Sequence, residues 1–306
     1  MMAVNYWDAK VSMLHVGADG RPESPQSVLM QPEAKYVDEA SPTREEHWKF
    51  RQRWPHSHCC VTEPYTGRVH FVVDLGLDRI FAYRVDGGSG QLVQKGSVQL
   101  PRGKGPRHLL FHPTIKAAYL VNELDSTVSC FKVNFPSEWA NAEWGENEMR
   151  EEDCRDAGAV LELVQNLSSL PEAEQGKTTI TPQGIWKAAS HSSEIRMHPS
   201  GKFFVVGNRG HDSLAVYAVD QATGQIALRE ITPSGGECPR NFNWTARGQY
   251  LVVGNQNSSR MCTMSFDEAS GHLEIVHTAE GIASPNYVYP IPCSALRDLL
   301  GPAAAA

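Results

Sequence analysis

A hairpin pattern that recurs at a nearly constant spacing is the feature that most constrains the fold of this chain. It is clearest in residues 105–133, where two runs of alternating apolar and polar residues, 117–121 and 127–133, flank a linker rich in turn formers. Because His112-Pro113-Thr114 interrupts the apolar run upstream, the segment predicts three short antiparallel strands. Related segments lie at 55–85, 192–219 and 238–266.

One polar residue marks the hairpin turn in each copy of the pattern: Asp74, Asn122, Asn208 and Asn255. The first two turns are 48 residues apart and the last two are 47 apart, whereas the 86 residues between Asn122 and Asn208 equal one period plus an insertion. A period of roughly 40 to 50 residues with several short strands is typical of β-propeller blades, which bury their faces by stacking around an axis. The predicted fold class is therefore all-β.

Composition limits the function classes. A chain of 306 residues with 41% hydrophobic content is long enough for a single propeller domain, taken here as residues 1–306. Its net charge of −7 disfavours a nucleic-acid partner, and it lacks a run of about 18 apolar residues. The seven cysteines include no CxxC pair, which predicts reduced thiols rather than a disulfide framework or structural zinc. We expect a cytoplasmic protein with no membrane partner.

Two long segments interrupt the pattern and are predicted to be loops. Residues 21–54 contain four prolines and look too broken for regular structure, and residues 134–187 begin with a cluster of acidic residues, predicted to be solvated. Strand patterns return at 158–168 and 274–278, and a last strand is predicted at 284–291.

Several short motifs in the repeats resemble one known family. They are His58-Cys59, the run from Asp74 to Arg79, Gly105-Pro106-Arg107-His108, Asn122-Glu123-Leu124 and the run from Asn208 to Ser213. In this order they resemble the lactonase family of seven-bladed β-propellers, which contains a bacterial 6-phosphogluconolactonase and a fungal carboxy-muconate cyclase. The resemblance runs from about Val4 to about Pro290.

The resemblance also predicts that the chain is truncated at its N-terminus. Residues 3–16 look like the last hairpin of a blade, with Asn5 in the turn, and the family would place this hairpin in its third blade. About four and a half blades would then be present and about two and a half missing.

An incomplete ring would leave strand edges unpaired, so we expect the purified chain to self-associate or aggregate. Size-exclusion chromatography and thermal melting test this expectation. A sharp monomer peak with a cooperative transition would contradict it.

Four residues are the candidate catalytic groups: Glu123, His58, Arg107 and Arg209. Glu123 lies in a hairpin turn where the other copies carry Leu75, Arg209 and Gln256, so Glu123 and Arg209 should face one mouth of the ring. The resemblance places His58 and Arg107 at the start of inner strands, near the central cavity. Arg107 could equally form a structural ion pair with a neighbouring blade, and a turn glutamate is often merely solvated.

Three further residues are candidate substrate-binding groups: His56, Arg240 and His108. His56 and His58 would share a face of a strand and could bind a metal, but such histidines more often bond backbone or water, so no metal or other cofactor is predicted. Arg240 would add a cation, although the repeat itself accounts for an arginine after Pro239. His108 could instead serve packing between blades.

An acid and a histidine flanked by cations suit an anionic cyclic ester. The resemblance implies a 6-phosphogluconolactonase-like hydrolase in which arginines bind the anion and Glu123 or His58 activates water. A carboxy-muconate cyclase-like enzyme that forms lactones is one alternative. A non-catalytic propeller that binds another protein is the other, because fold does not determine function.

Overall fold

The computed structural model describes residues 1–32, 46–135 and 160–291, and four antiparallel four-stranded sheets make up most of it. Within each sheet the strands lie in chain order, each paired with the next. The strands of the first two such sheets are β4 (Ser57–Thr62), β5 (His70–Asp74), β6 (Arg79–Val85) and β7 (Leu92–Gln99), then β8 (Pro106–Phe111), β9 (Ala117–Asn122), β10 (Thr127–Val133) and β11 (Leu161–Ser168). Those of the last two are β14 (His191–Met197), β15 (Phe203–Arg209), β16 (Ser213–Val219) and β17 (Ile226–Pro233), then β18 (Pro239–Trp244), β19 (Tyr250–Asn255), β20 (Arg260–Asp267) and β21 (His272–Glu280).

Two smaller sheets and two short 3-10 helices complete the described structure. The first sheet of the chain has three strands, β1 (Met2–Val4), β2 (Lys10–Val16) and β3 (Pro22–Met30). Strands β12 (Thr178–Ile180) and β13 (Trp186–Ala188) form a two-stranded hairpin, and the 3-10 helices are His47–Gln52 and Glu172–Glu174.

The hydrophobic core is divided into four clusters, each filling the space between two neighbouring sheets. The cluster between the β4–β7 and β8–β11 sheets contains Phe71, Phe111 and Phe131, and the next one contains Tyr119, Phe204 and Tyr217. Similar clusters join the β1–β3 sheet to the β4–β7 sheet and the β14–β17 sheet to the β18–β21 sheet. Because these clusters bury sheet against sheet and not sheet against helix, the fold is all-β and its larger sheets stack face to face.

The turn residues that define the sequence repeat are fully buried. Asp74, Asn122, Asn208 and Asn255 each end or nearly end the second strand of a sheet. Asp74 holds the turn and the first strand, because it accepts hydrogen bonds from the His56 and Leu77 backbone and the Ser57 hydroxyl. Asn122 instead donates to the Thr127 and Ser129 hydroxyls on the third strand. A short side chain with a polar tip can reach such neighbouring groups, which suits Asp or Asn to this position.

Three predictions about the irregular segments need correction or fall outside the described residues. The segment 21–54 is not free of regular structure, because β3 pairs with β2 and the 3-10 helix His47–Gln52 follows. Residues 284–291 do not form a strand, although Val288 donates its backbone N–H to the side chain of Asn241. The acidic cluster at 138–156 lies outside the described residues. The strand patterns at 158–168 and 274–278 are confirmed by β11 and β21.

The predicted count of about four and a half blades is not confirmed, since the described residues form six sheets and no closed ring. Over the same residues, no helix is long and apolar enough to cross a membrane.

Candidate functional site

The register of the four large sheets brings equivalent residues to one mouth of the structure. In each sheet the buried turn residue pairs with an inner-strand residue: Ser57 with Asp74, Pro106 with Asn122, Ser192 with Asn208 and Pro239 with Asn255. The residue that follows on each inner strand is His58, Arg107, Ser193 or Arg240. Because the sheets repeat around an axis, these four positions face the same region. The predicted site residues therefore come together from distant parts of the chain.

Glu123 is the centre of this region and contacts three guanidinium groups. Its Oε2 lies 3.1 Å from Nε of Arg107 and 3.0 Å from Nη2 of Arg209, and its Oε1 lies 3.0 Å from Nη2 of Arg51. The exposed fractions of the side chains are 2% for Glu123, 5% for Arg107, 16% for Arg209 and 36% for Arg51. The carboxylate thus lies beneath a layer of positive charge that becomes more accessible from Arg107 to Arg51.

The charges around Glu123 set its protonation state. Burial alone raises the pKa of this carboxyl, but Arg209, Arg51 and Arg107 outweigh burial and hold the pKa well below the usual 4.5. Burial and the nearby Arg209 lower the pKa of Arg107 to about 10, so that guanidinium remains charged at neutral pH. Glu123 is therefore a permanent carboxylate and a weak proton acceptor.

Arg51 is a site residue that the sequence analysis did not identify. It is carried by the 3-10 helix His47–Gln52, and Gln52 anchors this helix by donating from Nε2 to the carbonyl of Leu75 at 2.8 Å. Nη2 of Arg51 also donates to the hydroxyl of Tyr6 at 2.7 Å. The one available signal was the family resemblance, in which long loops cover one mouth of the ring. Nothing in that loop's sequence distinguishes Arg51 from Arg53.

His58 lies close to Arg107 and His108. Its ring is perpendicular to that of Tyr6 and meets that of His108 edge to face, with centroids 5.3 Å and 5.0 Å away. Its Nδ1 is fully buried and unpaired among the described residues. Burial, and then the positive charge of Arg107, lowers the pKa of His58 well below 6.5. The imidazole is consequently neutral at physiological pH and able to accept a proton.

A second buried carboxylate, Glu194, contacts three side chains next to the site. Its Oε1 lies 2.8 Å from Nδ1 of His108 and its Oε2 lies 3.2 Å from Nη2 of Arg196, while Asn241 donates to it from Nδ2. Burial raises the pKa of Glu194, but His108 and Arg196 outweigh burial and lower it to about 2. The sequence analysis missed this residue, because no signal in its strand distinguishes it from a polar surface position.

A cavity of about 880 Å³ opens over these residues. Four arginines and one carboxylate line it: Arg51, Arg53, Arg209, Arg240 and Glu123. The remaining lining is largely aromatic or histidine, including Tyr6, Trp7, Phe50, Trp54, His56 and His58. We call this the cationic cavity, and its charge balance suits an anionic ligand.

The predicted substrate-binding residues lie in different environments. Arg240 lines the cationic cavity and has no hydrogen-bond or ion-pair partner within the described part of the chain. His56 also lines it, stacked on Tyr6 at 4.4 Å and donating from Nδ1 to the Tyr6 carbonyl. His108 is bonded to Glu194 and is not part of the cavity lining.

Arg107 is placed differently from a substrate-binding arginine. Its guanidinium bonds Glu123 and the carbonyl of Ser193 in the neighbouring sheet, and it does not line the cationic cavity. An ion pair with a neighbouring blade was considered as the alternative for this residue. The structure contains an ion pair with Glu123 of the same sheet, and the neighbouring sheet contributes a hydrogen bond through the Ser193 carbonyl.

The described residues contain no group of three or more side chains placed to hold a metal ion, and His56 and His58 have no third ligand there. Five of the seven cysteines lie in the described ranges, and each has a free thiol: Cys59, Cys60, Cys130, Cys238 and Cys262.

Comparison with known proteins agrees with this architecture. The family described as "Lactonase, 7-bladed beta-propeller" matches residues 1–290. A 6-phosphogluconolactonase of Bacillus subtilis is 31% identical over 242 residues, which cover 79% of this chain and 56% of the relative. An uncharacterized Staphylococcus saprophyticus protein is 32% identical over 195 residues, 64% of this chain and 46% of that protein. The chain thus spans about half the length of the curated relatives that it matches.

Solved structures share the fold. The periplasmic gluconolactonase PpgL of Pseudomonas aeruginosa has a TM-score of 0.71 at 27% identity, covering 93% of this chain and 68% of that one. A Lactobacillus plantarum protein has the same TM-score at 22% identity, over 94% of this chain and 69% of that one, and this likeness concerns the fold alone.

Proposed function

The chain belongs to the lactonase family of seven-bladed β-propellers, and from this membership we propose that it hydrolyses an anionic sugar lactone. The substrate proposed is 6-phosphogluconolactone or a close analogue, and the product is the open-chain 6-phosphogluconate. The similarity to the Bacillus subtilis enzyme supports this choice.

One observation carries the proposal, namely the charge balance of the cationic cavity. Four guanidinium groups face one carboxylate there, and the guanidinium of Arg240 has no partner among the described residues. Guanidinium groups bind phosphate or carboxylate through two parallel hydrogen bonds, so an unpaired arginine in a cavity favours an anion as its ligand. A neutral lactone would leave that charge without a counterion.

His58 is proposed as the general base. It is neutral near pH 7, lines the cationic cavity, and its Nδ1 has no hydrogen-bond partner among the described residues. Glu123, the other candidate base, has both oxygens occupied by arginines and a lowered pKa. Because guanidinium groups already contact both carboxylate oxygens, Glu123 offers no free oxygen to the proton of an attacking water. Glu123 is therefore proposed to hold the arginines in place, and Arg107 to hold Glu123.

The proposed reaction follows from these roles. His58 takes a proton from a water molecule while the water oxygen forms a bond to the lactone carbonyl carbon. The tetrahedral oxyanion is stabilised by the guanidinium groups of Arg51 and Arg209, which Glu123 orients. The ring C–O bond then breaks, and the proton on His58 passes to the departing ring oxygen, giving a hydroxyl group and a carboxylic acid. No metal ion and no covalent intermediate are required.

Measurement of lactone turnover tests the proposal. Hydrolysis of 6-phosphogluconolactone by the purified chain, faster than the uncatalysed background, is the expected result. Lactone formation from carboxy-muconate, an unsaturated tricarboxylate, would instead favour the cyclase alternative. The absence of either activity, in a sample shown to be folded, would favour a binding scaffold.

Replacing Arg240 by glutamine is expected to raise KM for the anionic lactone by roughly 10- to 100-fold and to leave kcat nearly unchanged. The reason is that the variant loses a charge that contacts the anion in both ground and transition states. A neutral lactone of the same ring size should be unaffected. Arg229→Gln, on the exposed face of the outer strand β17, is the matched control. An unchanged KM for the anionic lactone would show that Arg240 does not bind it.

The same proposal covers the cellular location, the pathway and the partners of the protein. We place the activity in cytoplasmic carbohydrate metabolism, at the lactone step of the pentose phosphate pathway, with a small anionic lactone as partner and neither nucleic acid nor membrane involved. Residues 1–306 are taken as part of one propeller domain, in which each four-stranded sheet is a blade and the three-stranded sheet belongs to a fifth.

A further inference from the structure

A second cavity, of about 640 Å³, lies beside the cationic cavity. The two share a wall, because Phe50, Arg51, Glu123 and Arg209 line both. The β12–β13 hairpin lines part of the second cavity, and its strand β13 packs against the 3-10 helix His47–Gln52. Neither element belongs to the repeat of four-stranded sheets. The insertions therefore supply part of the lining of this cavity, and the turns of the repeated sheets supply the rest.

Several polar side chains that line this second cavity are available to bind a ligand. Five of them have no hydrogen-bond or ion-pair partner within the described ranges: Gln183, Lys187, His191, Glu237 and Asn257. Carboxamides can donate and accept at once, and a neutral imidazole can do the same with its two nitrogens. Burial lowers the pKa of His191 to about 4, so its ring is neutral at physiological pH. We call this the polar cavity.

The charge balance of the polar cavity differs from that of its neighbour. Three cations, Arg51, Lys187 and Arg209, are matched there by three carboxylates, Glu123, Asp212 and Glu237. A cavity with balanced charge and many donors and acceptors does not select an anion, but it can pair with a neutral group that both donates and accepts. Hydroxyl groups have this property. Trp186, Ile185 and Phe50 supply apolar surface for the C–H groups between hydroxyls.

We propose that the polar cavity binds the hydroxyl-bearing carbon chain of a polyhydroxylated acid whose anionic end lies in the cationic cavity. This proposal rests on the proposed function, since it assigns a second part of the same substrate to the neighbouring cavity. It makes the β12–β13 hairpin the element that selects sugar-derived lactones over lactones without hydroxyl groups.

Calorimetric titration at pH 7 with two six-carbon carboxylates tests the proposal. Gluconate carries five hydroxyl groups, whereas hexanoate has the same chain length and charge but none. Gluconate is expected to bind at least about tenfold more tightly, because hydroxyls paired with the polar cavity add net hydrogen-bond energy. Equal affinity of the two ligands for the parent chain would overturn the proposal.

A double variant locates the effect. Gln183→Leu combined with Asn257→Leu removes two carboxamides from exposed positions, so folding should be unaffected, which a melting curve checks. The preference for gluconate should fall by roughly tenfold, while hexanoate binding stays constant. Gln249→Leu, an exposed glutamine that lines neither cavity, is the control and should retain the preference. Full retention of the preference in the double variant would place gluconate elsewhere and overturn the proposal.

Binding and turnover separate this inference from the proposed function. If gluconate binding depends on Gln183 and Asn257 but no lactone is hydrolysed, the binding role of the polar cavity is supported and the hydrolase assignment is wrong. If lactones are hydrolysed equally well with and without hydroxyl groups, the hydrolase stands and the polar cavity has no role in selection.

Discussion

His58→Gln is expected to lower kcat for the anionic lactone by roughly 10²- to 10⁴-fold while changing KM little. Glutamine preserves polarity and approximate size but cannot accept the proton of the attacking water. The imidazole is neutral above its folded-state pKa, and that pKa lies well below 6.5. The parent chain should therefore remain active as the pH falls below 6.5 and lose activity when His58 becomes protonated. A pH profile of kcat/KM for parent and variant measures both effects.

The control for this change is His277→Gln, an exposed histidine on the outer strand β21. It should leave kcat and the pH profile unaltered. If His58→Gln keeps more than about a tenth of the parent kcat, His58 is not the general base.

Glu123→Gln is expected to lower the free energy of unfolding by about 3 to 5 kcal/mol at pH 7. The variant leaves the buried guanidinium of Arg107 without its carboxylate, and an unpaired buried charge is costly. Because the pKa of Glu123 is lowered in the folded state, its contribution is present above pH 4.5 and is lost as the pH falls through the folded-state value. Urea unfolding at pH 7 and at pH 4 should therefore show a smaller difference between parent and variant at the lower pH.

The same variant separates the two candidate bases. The negative charge of Glu123 raises the pKa of His58, so its removal should move the acid limb of the kcat/KM profile to lower pH. If Glu123 were the base, the limb would disappear together with the activity. Glu274→Gln, on the exposed face of β21, is the matched control and should change neither stability nor profile. A stability equal to that of the parent would show that the three arginines do not depend on Glu123.

The local alternation of apolar and polar residues was sufficient to predict the strands of the repeat. The alternation of apolar and polar residues in 105–133 matches β8, β9 and β10. The four turn residues that mark the repeat, Asp74, Asn122, Asn208 and Asn255, are buried at or next to the end of a second strand. The repeat also predicts which residues distant in sequence are close in space, because equivalent positions of stacked repeats face the same end of the structure. From this fact Glu123 and Arg209 could be placed near each other without coordinates.

Tertiary structure decided the contacts between segments that no repeat relates. Arg51 reaches Glu123 from an inserted 3-10 helix, and the polar cavity depends on a hairpin from the other insertion. The ionisation of the site was equally inaccessible from sequence, since the pKa values of Glu123 and His58 depend on burial and on which charges lie within a few ångströms. The spacing of the sequence repeat thus determined the four-stranded sheets and the turn residues at one end of them, because strand propensity is local and repeats stack in register. Distance and desolvation, which exist only in the folded molecule, decided which of those residues can move a proton and which only hold others in place.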